Sequence, residues 1–155
     1  MINNPVAFRG LLQEIGTRHR ERLSDGPAFR VLSHLNGLEG VKGFVFKNYC
    51  PEGTKNSKYK RQYFSNINGM KCDSIRMKIE EWRGRGLLSE HEYFYLLTSL
   101  LLAADKVANT ASVYGAFLKN LKTSAQKPLC LKPIPIFNGF RRHTIYNEDG
   151  VKLAI

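Results

Sequence analysis

Lys58, Lys60 and Arg61 crowd the short stretch "KYKRQYF", and Lys119, Lys122, Lys127, Lys132, Arg141 and Arg142 recur through a run that holds no acid between Asp105 and Glu148. Ammonium and guanidinium groups at such density are the donors that hold phosphate oxygens. Asn109, Thr110 and Tyr114, interleaved with them in "NTASVYGAFLK", add amide, hydroxyl and aromatic groups that touch base edges or stack. The whole chain leans the same way: 24 Lys and Arg against 13 Asp and Glu give a formal charge of +11 and a pI of about 9.8. A positive field of that size around 155 residues favours a polyanionic partner, nucleic acid before others. The alternative for the acid-free run is a solvated basic face.

Groups that could break or make bonds are harder to find. The chain has no phosphate-cradling glycine loop, no GxSxG, no HExxH and no adjacent pair of prolines. His19, His34, His91 and His143 are scattered, which predicts core or surface roles and no metal site. Cys50, Cys72 and Cys130 are odd in number and lack metal or redox spacing, so reduced thiols in a cytoplasmic protein are expected. The start "MINNPVAFRGLLQEIG" has no signal-peptide pattern, and the most apolar run, "YFYLLTSLLLAA", is far shorter than the roughly twenty residues of a membrane span. That run predicts core. By its residues alone the chain reads as a basic, largely helical binding module without catalysis.

The elements that must carry these cations can be sketched from periodicity. Phe8, Leu11, Leu12 and Ile15 share one face of a helix within residues 5–36, interrupted by "DGP" at 25–27. Phe44 to Phe46 predicts a short strand, followed by a long loop through "NING". Asp73 is placed to cap a helix bearing Ile75, Ile79 and Trp82, which "GRG" at 84–86 should end. Ser89 and Glu92 have the spacing of a capping box, with Leu88 and Tyr93 at the staple positions. The next helix should bury Tyr93, Leu96, Leu97, Leu100, Leu101, Ala104 and Ala108. Prolines 128, 133 and 135 predict extended backbone, and "HTIY" at 143–146 a short strand. The expected fold class is α+β, predominantly helical, with a helical hairpin core and a short sheet or hairpin near the C-terminus.

From about Leu35 onward the chain resembles a family. "GFVFKNYCPEG", "RQYFSNINGMKCDSIRMKIEEW", "DKVANTASVYGAFLK" and "HTIYNEDGVKLAI", in that order, are similar to the middle section of bacterial DNA adenine methyltransferases of type II restriction-modification systems. The resemblance implies a partial piece of a Rossmann-like, S-adenosylmethionine-dependent enzyme acting on double-stranded DNA. It divides the chain into an unmatched helical segment 1–34, a helical target-recognition-like region 35–142, and the start of the catalytic sheet at 143–155. In such enzymes a Phe-x-Gly-x-Gly cofactor loop lies upstream and a catalytic Asp-Pro-Pro-Tyr downstream; neither occurs in these residues.

This implies a fragment, a truncated product or a split subunit that alone does not transfer methyl groups or hold the cofactor, with the catalytic motifs of a split enzyme on a second polypeptide. By resemblance Asn109, Thr110, Tyr114 and Lys119 face DNA, with Lys58, Lys60, Arg61 and Lys122 on phosphates, and Asp149 lies near the adenosine. The alternatives are a stand-alone DNA-binding protein and a nonfunctional gene remnant.

Overall fold

The computed structural model describes residues 6–16, 26–111, 113, 116, 118–136, 146 and 148–153. Among them are seven helices: α1 (Arg9–Ile15), α2 (Pro27–Asn36), α3 (Phe44–Tyr49), α4 (Asn66–Gly84), α5 (Glu90–Val107), α6 (Thr123–Gln126) and α7 (Gly150–Leu153). The described residues contain no strand. Their architecture is therefore helical, and the expected C-terminal sheet is not found among them; residues 143–145 of the anticipated strand lie outside the described residues.

The long hairpin of α4 and α5 is the frame. Ser65 starts α4, its hydroxyl accepting the Asn68 N–H at 3.2 Å, and the chain turns out of the helix through Gly86 at φ 69°, where a Cβ would be strained. The capping box at α5 is formed. Glu92 accepts from both the amide and the hydroxyl of Ser89 at 2.9 Å, and Ser89 accepts the Glu92 N–H at 3.3 Å. The other Glu92 oxygen accepts the Phe8 N–H, so one buried carboxylate both caps α5 and holds the entry of α1. Around the hairpin, Ile75, Ile79, Trp82 and Leu96 pack with Phe8 and Leu11 from the α1 segment and with Val31, Leu32 and Leu35 from α2. Burying such side chains contributes roughly 1.5–3 kcal/mol each.

Two features depart from expectation. The buried face of α5 runs through Tyr93, Leu96, Leu100, Ala103 and Val107, while Leu101 is 70% exposed, as are in large part Phe94 and Leu102. An all-apolar run carries no periodicity from which to choose its inner face, so its orientation is decided by what packs against it, α4 above all. Phe44 to Phe46 are helical rather than a strand, and Asp73 caps this α3 from inside α4 instead of starting a helix of its own. Its carboxylate accepts the N–H groups of Gly43 at 3.0 Å, Val45 at 2.8 Å and Phe46 at 2.9 Å. These are the amides a helix start leaves without partners. Beside this cap, Gly69 allows Cys50 Sγ to lie against α4; a Cβ there would overlap the sulfur.

Candidate nucleic-acid interface

The loop of residues 50–62 leaves α3 and closes on its C-terminal end. The amides of Tyr63 and Phe64 both donate to the Tyr49 carbonyl, at 3.0 and 3.3 Å. Inside the loop, buried Thr54 donates its hydroxyl proton to the Cys50 carbonyl at 2.8 Å and accepts the Arg61 N–H at 2.8 Å. Gly53 presses on the Phe46 carbonyl where no side chain fits. The loop expected from the sequence is thus shorter than anticipated and internally pinned. Its cations Lys55, Lys58, Lys60 and Arg61 are all exposed. Lys58 Nζ lies 5.3 Å from the Tyr59 ring centroid, and the Arg61 guanidinium donates to the Asn48 carbonyl at 3.3 Å.

The acid-free segment is held without a sheet ladder. Buried Asn68 donates to the carbonyls of Ala125 and Lys127, at 3.1 and 2.9 Å, and accepts the Leu129 N–H at 2.9 Å. Asn36 exchanges two hydrogen bonds with the Leu131 backbone, at 3.0 and 2.8 Å, and the Tyr95 hydroxyl meets the backbone of Ile134 at 2.9 and 3.3 Å. Side chains of the helical frame satisfy this extended chain's polar groups, as prolines 128, 133 and 135 require, since they bring no N–H for a ladder. The backbone faces inward and the lysines outward: Lys119, Lys122, Lys127 and Lys132 are exposed.

Asn109 joins the two basic segments. Its side chain donates to the carbonyls of Gln62 at 3.1 Å and Asn120 at 3.2 Å and accepts the Lys122 N–H at 2.9 Å, while its own N–H donates to the Tyr63 carbonyl at 2.8 Å. Gln62 donates in turn to the Leu118 carbonyl. Expected to face DNA, Asn109 is instead 4% exposed with its amide engaged in these bonds, and it ties the two segments together from the inside. Thr110 is exposed, and its carbonyl accepts from Lys122 Nζ at 3.3 Å. These bonds bring the end of the basic loop next to residues 109–110 and 120–122, and Lys58, Lys60, Arg61, Thr110, Lys119 and Lys122 are all exposed. Tyr114, Arg141 and Arg142 lie outside the described residues. Lys71 is turned inward, its ammonium donating to the carbonyls of Asn36, at 2.7 Å, and Leu38. Burial pushes its pKa down, against an opposing effect of Cys130.

Sequence reasoning missed Thr54, Asn36, Asn68, Gln62 and Tyr95, which build this surface without belonging to it. Only "SNING", with two amides at a helix start, carried a legible sign.

Residues 40–155 match the family model of the D12 class N6 adenine-specific DNA methyltransferases. The chain belongs to this D12 class. It is 47% identical over 126 residues to the type II methyltransferase M.NlaIII of Neisseria lactamica, covering 81% of this chain and 36% of that protein. It is 39% identical to the modification methylase StsI of Streptococcus sanguinis, covering 79% of this chain and 18% of that one. Against the type II methyltransferase M.CviAII of Paramecium bursaria Chlorella virus 1 it is also 39% identical, over 74% of this chain and 33% of that one. The chain thus spans about a third or less of the length of these relatives. No solved structure matches it significantly.

D12 enzymes take their methyl group from S-adenosylmethionine, whose sulfonium is a cation. Two cavities among the described residues carry lysines that would oppose it. A cavity of about 340 Å³ beside Asn36, Ile67 and Pro128 contains Lys71, and one of about 200 Å³ beside Ser99 and Pro133 contains Lys106 and Lys132, so each places like charge against a sulfonium. Asp149 stands at the exposed start of α7, its carboxylate accepting the Val151 N–H at 2.9 Å, between exposed neighbours rather than in a cradle. Among the described residues no group of His, Cys, Asp and Glu is placed to hold a metal ion, and no helix is long and apolar enough to cross a membrane.

Proposed function

We propose that this chain is the DNA-binding and target-recognition portion of a site-specific DNA adenine methyltransferase. Duplex DNA lies on the surface of Lys58, Lys60, Arg61, Thr110, Lys119 and Lys122, with Tyr114 reading bases. The observation that carries the reading is the Asn109 clasp, which ties two cation-rich segments together on a chain of formal charge +11. M.NlaIII and M.CviAII are named type II methyltransferases, and the intact enzyme of this chain would transfer the methyl of S-adenosylmethionine to the adenine exocyclic amine. These 155 residues contain neither Phe-x-Gly-x-Gly nor Asp-Pro-Pro-Tyr, so that chemistry needs residues beyond them, on the same or a second polypeptide. Asp149 would then approach the adenosine only with those residues in place.

The test is binding of the chain to random and family-site duplexes across a salt series, with labelled S-adenosylmethionine present. Salt-sensitive binding without methyl transfer supports the reading. Lys60→Ala should weaken all duplexes alike and flatten the salt slope by about one, whereas Tyr114→Ala should lower discrimination between sites. Absence of binding at low salt would refute it, and methyl transfer by the chain alone would refute the division of labour.

A further inference from the structure

Three rings form a row at the mouth of the pinned loop. The Phe44 and Tyr49 centroids are 6.0 Å apart at an interplanar angle of 62°, and those of Tyr49 and Tyr63 are 5.9 Å apart at 73°. Phe44 is 69% exposed and Tyr63 41% exposed, so the two end rings of this edge-to-face row are open to solvent. Leaving such rings in water forgoes their burial, yet the surroundings hold them there firmly. Asp73 fixes the backbone at the start of α3, the Tyr63 N–H donates to the Tyr49 carbonyl, and the Asn109 N–H donates to the Tyr63 carbonyl. A row clamped from three sides is preorganised for a flat partner.

The charge beside the row says what kind of flat partner. Arg61, two residues before Tyr63, reaches the Asn48 carbonyl next to Tyr49. Lys47 is exposed on α3 itself, and Lys60 follows on the loop. The nearby acid Glu52 is occupied by Lys42 at 3.6 Å. Exposed rings with exposed cations near them in the chain suit unpaired nucleobases better than an apolar peptide, which would make no use of the cations.

We propose that the Phe44–Tyr49–Tyr63 row is a stacking platform for unpaired bases of a DNA strand, with Arg61, Lys47 and Lys60 on the adjoining phosphates. This rests on the reading of the chain as DNA-binding and adds to it a site for opened rather than paired DNA. The platform works beside the duplex surface: the duplex supplies phosphates to the lysines, and a locally opened strand supplies base faces to the rings.

The experiment compares the whole chain and its Phe44→Ala and Tyr63→Leu variants on a fluorescent single strand and on a duplex of equal length. Phe44 is mostly exposed, and Tyr63→Leu keeps apolar bulk, so an unchanged thermal unfolding midpoint confirms that both fold. Each variant should bind the single strand roughly tenfold more weakly, with the salt slope unchanged, and the duplex within about twofold of the unaltered chain. A 2-aminopurine in the single strand should be quenched by the unaltered chain and less so by Phe44→Ala. Unchanged single-strand affinity in both variants, or equal losses on strand and duplex, would overturn the platform while leaving the duplex reading intact. Retained single-strand binding with no duplex binding would do the reverse, and a chain that binds neither overturns both.

Discussion

Asn109→Ala separates a clasp from a DNA contact. The side chain makes three hydrogen bonds, to the carbonyls of Gln62 and Asn120 and from the amide of Lys122, at 3.1, 3.2 and 2.9 Å. Each is worth about 1 kcal/mol net, and a partner left unsatisfied and shielded from water costs about 1–3 kcal/mol. The residue is buried, but Gln62 is half-buried and Asn120 and Lys122 are exposed residues, so some of the partner groups regain water, and the expected loss is roughly 2–4 kcal/mol. That is a large share of a domain's roughly 5–15 kcal/mol. Urea denaturation reads the loss, and hydrogen exchange at the Lys122 amide locates it. Asn109→Asp should be no better, because a carboxylate still accepts from Lys122 but cannot donate to two carbonyls. DNA affinity should fall in both variants as a consequence of the loosened surface. A stability change below about 0.5 kcal/mol together with lost DNA binding would refute this and return Asn109 to the DNA face.

Other perturbations probe the frame behind that surface. Asp73→Asn keeps two of the three acceptor contacts on α3 but turns an NH2 toward an N–H donor, and should cost about 2–3 kcal/mol in urea denaturation; an unchanged midpoint would show that α3 needs no cap. Gly69→Ala should cost about 1–3 kcal/mol through overlap with Cys50 Sγ, and Cys50→Ala in the same chain should recover part of it; additive losses would exclude that contact as the cause. Burial first, and then the charge of Asp73, push the Cys50 and Cys72 thiols up to about 12 from 9.0, whereas Cys130 is exposed. Iodoacetamide near pH 8 should therefore modify a single thiol in the native chain, and rapid modification of three would contradict the burial. Because both pKa values are raised, this contribution to stability is complete below about pH 9 and is lost as pH climbs toward 12, where the unfolded thiols ionise first.

Where local chemistry decides, the sequence was readable. Ser89 and Glu92 cap α5 through contacts within one turn, and "GRG" ends α4 because Gly86 takes a positive φ. Neither depends on distant residues. The helical reading of Phe8 to Ile15 and the single basic run also held, the first by periodicity and the second by composition. What failed depended on partners far along the chain. Phe44 to Phe46 read as a strand because three apolar residues carry no period, and they are helical because Asp73, 27 residues beyond Phe46, supplies the cap. Asn109 read as a DNA contact because an amide among lysines suits bases. Its burial is set by Gln62, 47 residues away, and no local pattern announces that. Leu101 was assigned to the core by its type, and the packing of α5 on α4 through its opposite face leaves it outward.

The same long-range logic explains how a lysine-rich segment keeps a shape. Its own residues cannot order it: like charges repel, prolines 128, 133 and 135 remove ladder donors, and α6 is a single short turn. Order comes from Asn36, Asn68, Tyr95 and Asn109, polar side chains rooted in or beside the hairpin that reach across to its backbone. Such a plan keeps Lys119, Lys122, Lys127 and Lys132 exposed, with Lys122 also donating to the Thr110 carbonyl, so their charge faces solvent. It also makes the interface answer to residues that never touch the ligand. A substitution at Asn68, which is buried and holds Ala125, Lys127 and Leu129, should therefore alter DNA affinity more than the loss of any one exposed lysine. A single lysine removes one phosphate contact among several, whereas the asparagine releases the backbone that aims them all.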